Sequence, residues 1–477
     1  MNRPRCIALA LLFWLAMGSL VWAQGERYEL GRRLRVFEQT WDGQPDATAR
    51  KRSTPALQKA VSSFFSFRLG EAGRALDEAR HALISAEPRS KEQEWSDSLF
   101  VQLENNLTDA STPSVPVKVA MFYGPDLPPP AQAAVRLSLV SARGDAETAA
   151  AEMPVQRLPL ETKLDLKGVP PGDHRLRCEV MVNGKTLATS TNWLATVERL
   201  QERLAAIERS LEGIPQTMRS LESETARSQL RLLQGLARGN PVETEYPAAR
   251  LVGELEALTA ASKKGEPYFT SRRTGQDWLT LPLERGSAVV RVQIPRTLKE
   301  GQRAPLVVAL HGAGGSENLF FDGYGNGAVA RLCEQRGWIL VAPRSAGLGG
   351  APVAAIVDEL AKRYPVDPRS VFLVGHSMGA AQAMSAVAAS PSKYAGVAAL
   401  GGGGRVGKSE GIKAVPYFVG VGTEDFALRG ARALRDALKA AEVRTVEYRE
   451  YPDIEHLVIV QAALPEVFQF FDKQINR

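Results

Sequence analysis

Residues 266–477 predict an α/β fold, a mostly parallel sheet with helices on both faces. Three observations carry this. Apolar runs of strand length alternate with helical patterns, as crossover connections require. The runs at 306–310 and 371–374 are apolar at every position, which suits strands buried on both faces. Gly375-His376-Ser377-Met378-Gly379 then stands between the second of these runs and a helix-forming run from Ala380, a strand–turn–helix junction. Candidate strands are 289–294, 306–310, 338–342, 371–374, 397–400, 417–421 and 446–451, and helices fit 352–363, 379–389, 429–441 and 460–474.

The 477 residues suggest about three domains, and the whole chain is expected to be multidomain. Lys and Arg number 59 against 53 Asp and Glu, with no long basic run, so no nucleic-acid surface is expected. Residues 1–23 are expected to be a signal peptide. Arg3 and Arg5 precede an almost wholly apolar stretch from Cys6 to Trp22, with a small residue before Gln24. That implies a secreted or periplasmic protein with no stable membrane span once the signal is removed. An uncleaved anchor is the lesser alternative, because the stretch is near the lower limit for spanning a bilayer. Cys178 and Cys333 fall in different expected domains and are not expected to pair.

Residues 24–110 read as helical, with Leu57, Val61, Phe64, Phe65 and Leu69 recurring at helical spacing. Residues 114–194 change period. Val117, Val119 and Met121 alternate with other residues, and His174 to Val182 runs into Asn183-Gly184, a hairpin signal. A small β-sandwich is expected there. Residues 195–264 return to helix. Val197, Leu200, Leu204, Ile207, Leu211 and Ile214 step by three and four, which predicts a helical hairpin or short coiled coil and offers self-association through 197–214.

The chemistry gathers in the α/β region. Ser377 occupies the middle of a G-x-S-x-G turn, where neighbouring glycines spare the clashes that so sharp a turn would cause. A serine nucleophile needs a base, and the region holds only His311, His376 and His456. His376 sits inside the turn and His311 shapes a loop, so His456 is the expected base. Asp425 is the expected acid that orients it, with Glu424 and Asp453 as rivals; the order Ser377, Asp425, His456 suits the fold. Negative charge on a tetrahedral intermediate requires backbone donors. Met378 supplies one, and the loop His311-Gly312-Ala313-Gly314-Gly315 supplies the other, Ala313 first and Gly314 next.

These motifs resemble the α/β-hydrolase serine esterases, more narrowly the secreted group of feruloyl esterases and polyhydroxybutyrate depolymerases, and also dienelactone hydrolases and prolyl-oligopeptidase-type domains. The resemblance rests on 306–315, 367–380 and the Asp425 and His456 segments, and covers less than half of the chain. It implies cleavage of a small-molecule or polymer-borne ester, with no cofactor and no metal. A peptidase is the alternative, although peptidase relatives usually carry a further glycine where Ala380 stands. A second alternative is a non-catalytic envelope- or polymer-binding protein on a hydrolase scaffold.

Two further expectations concern architecture. Residues 266–477 hold every expected site residue and are expected to fold and act without the rest. About sixteen residues join the strands at 397–400 and 417–421, too few for a packed cap. An open site is therefore expected, rimmed by substrate-binding Phe320, Phe321, Tyr324 and Phe426.

Overall fold

The computed structural model describes residues 26–475, apart from 125, 143, 145–146, 216, 218, 300 and 346–349. The expected signal peptide lies outside the described residues. No described helix is long and apolar enough to cross a membrane.

The chain opens with four helices: α1 at residues 26–43, α2 (Ala47–Phe65), α3 (Leu69–Ile84) and α4 (Lys91–Ser98). Asp46 caps α2 by accepting from the amides of Thr48 and Ala49. Ser90 caps α4 through the amide of Gln93. The helical stretch ends at Ser98 rather than at 110, because Leu99 and its successors pair as strands.

Eight strands follow: β1 (Leu99–Leu103), β2 (Leu107–Asp109), β3 (Ser114–Met121), β4 (Ala133–Ser141), β5 (Glu147–Pro154), β6 (Leu160–Asp165), β7 (Gly172–Val182) and β8 (Lys185–Val197). They form a three-stranded sheet, β1-β3-β6, and a five-stranded sheet, β2-β8-β7-β4-β5. Alternating residues Val115, Val117 and Val119 of one sheet meet Val135, Leu137, Leu139, Leu176 and Cys178 of the other in a shared core.

Helices α5 (Leu200–Glu212), α6 (Leu221–Ala237) and α7 (Ala248–Lys264) come next. The seam of Val197, Leu200, Leu204, Ile207, Leu211 and Ile214 is entirely buried within the chain. It packs in one core with Leu233, Leu251, Leu255 and Leu258 of the neighbouring helices. The 3–4 spacing is therefore satisfied internally, and the self-association anticipated through 197–214 has no apolar stripe left to use.

The remaining chain forms β9 (Gly275–Pro282), β10 (Ser287–Ile294), β11 (Ala304–Leu310), α8 (Leu319–Asp322), α9 (Tyr324–Arg336), β12 (Ile339–Pro343), α10 (Val353–Ala361), β13 (Val366–His376), α11 (Met378–Ala389), β14 (Gly396–Leu400), β15 (Tyr417–Gly422), α12 (Leu428–Ala440), β16 (Val446–Tyr451) and α13 (Ile459–Ile475). The strands make one mixed sheet in the order β9-β10-β12-β11-β13-β14-β15-β16. The six from β12 to β16 run parallel, and β9 and β10 pair antiparallel at one edge. Side chains alternate between faces. Leu306, Val308, Val371 and Leu373 face α10, α11 and α12; Val307, Ala309, Phe372 and Val374 face α9 and α13.

The first face is not the property of the C-terminal region alone. Its core runs without interruption from Leu107 and Trp193 through α5, α6 and α7 into Trp278, Leu281 and the sheet. A second junction joins Phe37, Trp41, Leu57, Ala60 and Leu76 of the first three helices to Val458. Both junctions bury apolar surface that a chain of residues 266–477 alone would expose.

Candidate active site

Four loops beyond the carboxyl ends of parallel strands converge, where open α/β sheets place ligands. β13 ends in the sharp turn at Ser377, whose φ of 55° and ψ of −117° are strained for a side chain with a Cβ. The flanking glycines make the turn feasible by close approach. A Cβ on Gly375 would lie 2.2 Å from the carbonyl oxygen of Gly379, and one on Gly379 would lie 1.9 Å from that of Leu310. Helix α11 starts at Met378, so the Met378 amide is a helix-terminal donor without an intrahelical partner.

The loop after β11 runs alongside. A Cβ on Gly312 would stand 3.2 Å from the Cβ of Ser377, so the two segments touch. Ala313 and Gly314 are exposed toward the cavity that Ser377 and His456 also line. His311 fixes this loop. Its Nδ1–H donates to the Gly312 carbonyl at 2.8 Å, and its Nε2 accepts the Ser345 amide at 3.1 Å. Burial lowers its pKa, which suits a neutral ring with one donor and one acceptor.

Asp425 and His456 follow β15 and β16. Asp425 Oδ1 accepts His456 Nδ1–H at 2.9 Å and the Ala427 amide at 2.8 Å, and both side chains are buried. The rivals point elsewhere. Asp453 pairs with Lys51 at the surface, and Glu424 receives Gln58 of α2.

A feature invisible in the sequence steadies His456. The Tyr324 hydroxyl donates to Nδ1 of His376 at 2.6 Å, and Nε2–H of His376 donates to the carbonyl of His456 at 3.0 Å. A carbonyl can only accept, so the Nε2 proton is fixed and Nδ1 must be the acceptor. Burial and the nearby His456 push the pKa of His376 well below its ordinary value, so it stays neutral.

The anticipated rim divides. Phe426 is exposed, with its ring 4.3 Å from that of His456 and 5.9 Å from that of Phe65. Tyr324 lines the cavity but is buried and engaged with His376. Phe320 and Phe321 do not form a rim; both are buried against α9 and the sheet. The site is not open on all sides either. Leu30 and Leu34 of α1, Ala60, Val61, Phe64 and Phe65 of α2, and Leu76 of α3 wall the cavity opposite Ser377. The short β14–β15 connection does lack a cap, but the cover comes from the other end of the chain. The i, i+4 pair Leu30 and Leu34 marks an apolar face in the sequence, yet nothing local says which surface it meets.

Among the described residues, no group of three or more His, Cys, Asp or Glu side chains is placed to hold a metal. Both described cysteines are free and buried.

No family model matches the chain. Over 150 residues it is 29% identical to a bifunctional acetylxylan esterase/xylanase from Neocallimastix patriciarum, covering 29% of this chain and 22% of that protein. The chain therefore matches less than a quarter of that relative's length. A thermostable esterase of known structure aligns over 76% of this chain and 95% of its own, at 17% identity and a TM-score of 0.38. A feruloyl esterase module from Clostridium thermocellum, complexed with sinapinate, aligns over 41% and 88% at 16% identity and a TM-score of 0.34. The strand order and the sequence of its site loops make this chain similar to the α/β-hydrolase esterases.

Proposed function

We propose that the protein is a serine hydrolase of carboxylic esters, and the observation that carries this is the Asp425–His456 pair, 2.9 Å apart, in one cavity with the strained Ser377. In this reading the Ser377 hydroxyl attacks the ester carbonyl and His456 Nε2 takes its proton. Asp425 holds the other ring nitrogen as donor and stabilises the imidazolium. The amides of Met378 and Ala313, with Gly314 next, meet the oxyanion. Collapse expels the alcohol, which receives the proton from His456. Water, deprotonated by His456, then releases the acid from the acyl-serine. The esterase name of the similar sequence from Neocallimastix patriciarum supports the reading, in which the substrate is a small-molecule or polymer-borne ester. Export before action is part of it, supported by the pattern of residues 1–23.

A panel of nitrophenyl esters, acetylated sugars, feruloyl esters and peptide amides tests the reading with wild type and Ser377→Ala. Ester turnover should fall by several orders of magnitude in Ser377→Ala, leaving what the oxyanion donors supply. A fluorophosphonate should label Ser377. Full activity in the variant, or labelling elsewhere, would end the proposal.

A further inference from the structure

We infer that helices α1, α2 and α3 build an acyl-binding chamber for an apolar acyl group of about the bulk of one six-membered ring, and that Phe64 sets its depth. The inference rests on the esterase reading and adds the substrate class to it.

The cavity beginning at Ser377 and His456 extends between the 312–319 loop and the N-terminal helices. Its far wall is carbon: Leu30, Leu34, Ala60, Val61, Phe64 and Leu76. Charged residues at its margin are of two kinds: the two acids, Asp322 and Glu243, are paired, while the two arginines, Arg27 and Arg35, leave positive charge beside the cavity. Asp322 Oδ2 accepts from Arg291 and Thr244, Glu243 pairs with Arg344, and Arg35 lies 3.9 Å from Glu245. The far wall itself carries no charge, and it rewards carbon. The cavity offers about 190 Å³ to the centre of a water molecule. An apolar cavity of about 150 Å³ in another protein holds benzene, so one ring or a chain of roughly six to eight carbons fits here.

Phe64 occupies the decisive place. Its ring stands against Gly314, where an added Cβ would lie 2.5 Å from Cζ and where φ is +77°. It therefore packs directly on the loop proposed to hold the oxyanion, and is followed by Phe65, whose ring lies 5.5 Å away. The N-terminal helices thus reach the reacting carbonyl's surroundings through this side chain.

The test is an acyl-length series of nitrophenyl esters from two to fourteen carbons, plus benzoyl and cinnamoyl esters, with full-length wild type, Phe64→Ala and Val61→Phe. Each kcat/KM is divided by that enzyme's value for the acetyl ester. Wild type should gain about threefold to fourfold per methylene up to the size limit, from the transfer free energy of a buried CH2. Phe64→Ala should move the maximum to longer acyl groups by several carbons, and Val61→Phe should move it to shorter ones. Phe64→Leu replaces Phe64→Ala if the latter fails to melt cooperatively. A profile that falls from acetate onward, or that neither variant moves, overturns the chamber while leaving the esterase reading intact. No hydrolysis of any ester by wild type sinks the esterase reading itself.

Discussion

Tyr324 and His376 show how a site gains precision from residues outside the Ser377, Asp425 and His456 group. His376 borrows its orientation from Tyr324 and passes it to the backbone of His456. Tyr324→Phe removes the hydroxyl and leaves Nδ1 of a buried ring unpaired, a loss of about 1–3 kcal/mol. If that loosens His456, kcat should fall roughly tenfold or more, with KM within about twofold, since the substrate's own contacts remain. Steady-state kinetics on a soluble ester decide it, and an unchanged kcat would show that His456 is held without the clamp. A second residue carries a pH signature. Glu38 of α1 is fully buried; its Oε2 accepts the Gly325 amide at 2.8 Å, and burial raises its pKa from 4.5 to about 8. Asp42 nearby raises it further and Arg35 opposes this. With the folded value above the unfolded one, the folded state binds the proton more tightly. That stabilisation is full below about pH 4.5 and is lost as pH rises toward 8. Glu38→Gln keeps an acceptor for Gly325 and should flatten the fall of Tm between pH 5 and 8. A Tm–pH slope identical to wild type counts against it. The turn around Ser377 was legible because its chemistry is local: strand, two glycines, helix. The clamp was not, because Tyr324 and His376 stand 52 residues apart and meet only in the fold.

Elements with one strong pattern were read well, and those with mixed patterns were missed. The seven expected strands of the large sheet all form, most of them on apolar runs, while β16 alternates Val446, Tyr448 and the charged residues between and after them. β9 escaped because Gln276, Asp277 and Thr280 interrupt it; Asp277 is accommodated by Arg273, at 2.8 Å. α9 escaped because Gly325-Asn326-Gly327 reads as a loop, and those residues do adopt left-handed dihedrals within it. The seam of α5 shows the opposite limit, a period that is plain in the sequence and a partner, neighbouring helix or second copy, that is not. Spacing defines an apolar stripe, but the stripe does not say whether its partner is a second copy or another helix of the same chain. With Leu204 and Ile207 packed inside, Leu204→Ala should cost about 2–5 kcal/mol without changing oligomeric state. Denaturant melts and sedimentation measure both. Stability that depends on protein concentration, and loses that dependence in Leu204→Ala, would restore the intermolecular reading.

At the scale of the whole molecule, the segmentation by pattern and the segmentation by packing disagree. Pattern divides the chain where period changes, near 110, 195 and 265. Packing crosses the last of those lines. Gln229 of α6 donates to the Trp278 carbonyl, the Thr225 hydroxyl accepts the Thr280 amide, and Phe269, Trp278 and Leu281 share a core with Leu230 and Leu233. The N-terminal helices likewise close over Val458, two residues beyond His456, and line the cavity. Hydrophobic burial is additive in area, so exposing both junctions at once removes several fully buried side chains' worth of stabilisation, about 1.5–3 kcal/mol each. That sum is comparable with the whole stability of a domain. A chain of residues 266–477 should therefore be insoluble or molten, and inactive even on an acetyl ester. Residues 90–477, which keep α4 and hold α6 on β9 but lack α1 to α3, should fold better and hydrolyse small esters without preference for longer acyl groups. Expression of both fragments, with thermal melts and the acyl-length series, separates the two junctions. A cooperative melt and ester turnover from residues 266–477 alone would show that the shared core is dispensable and that the chain is modular after all.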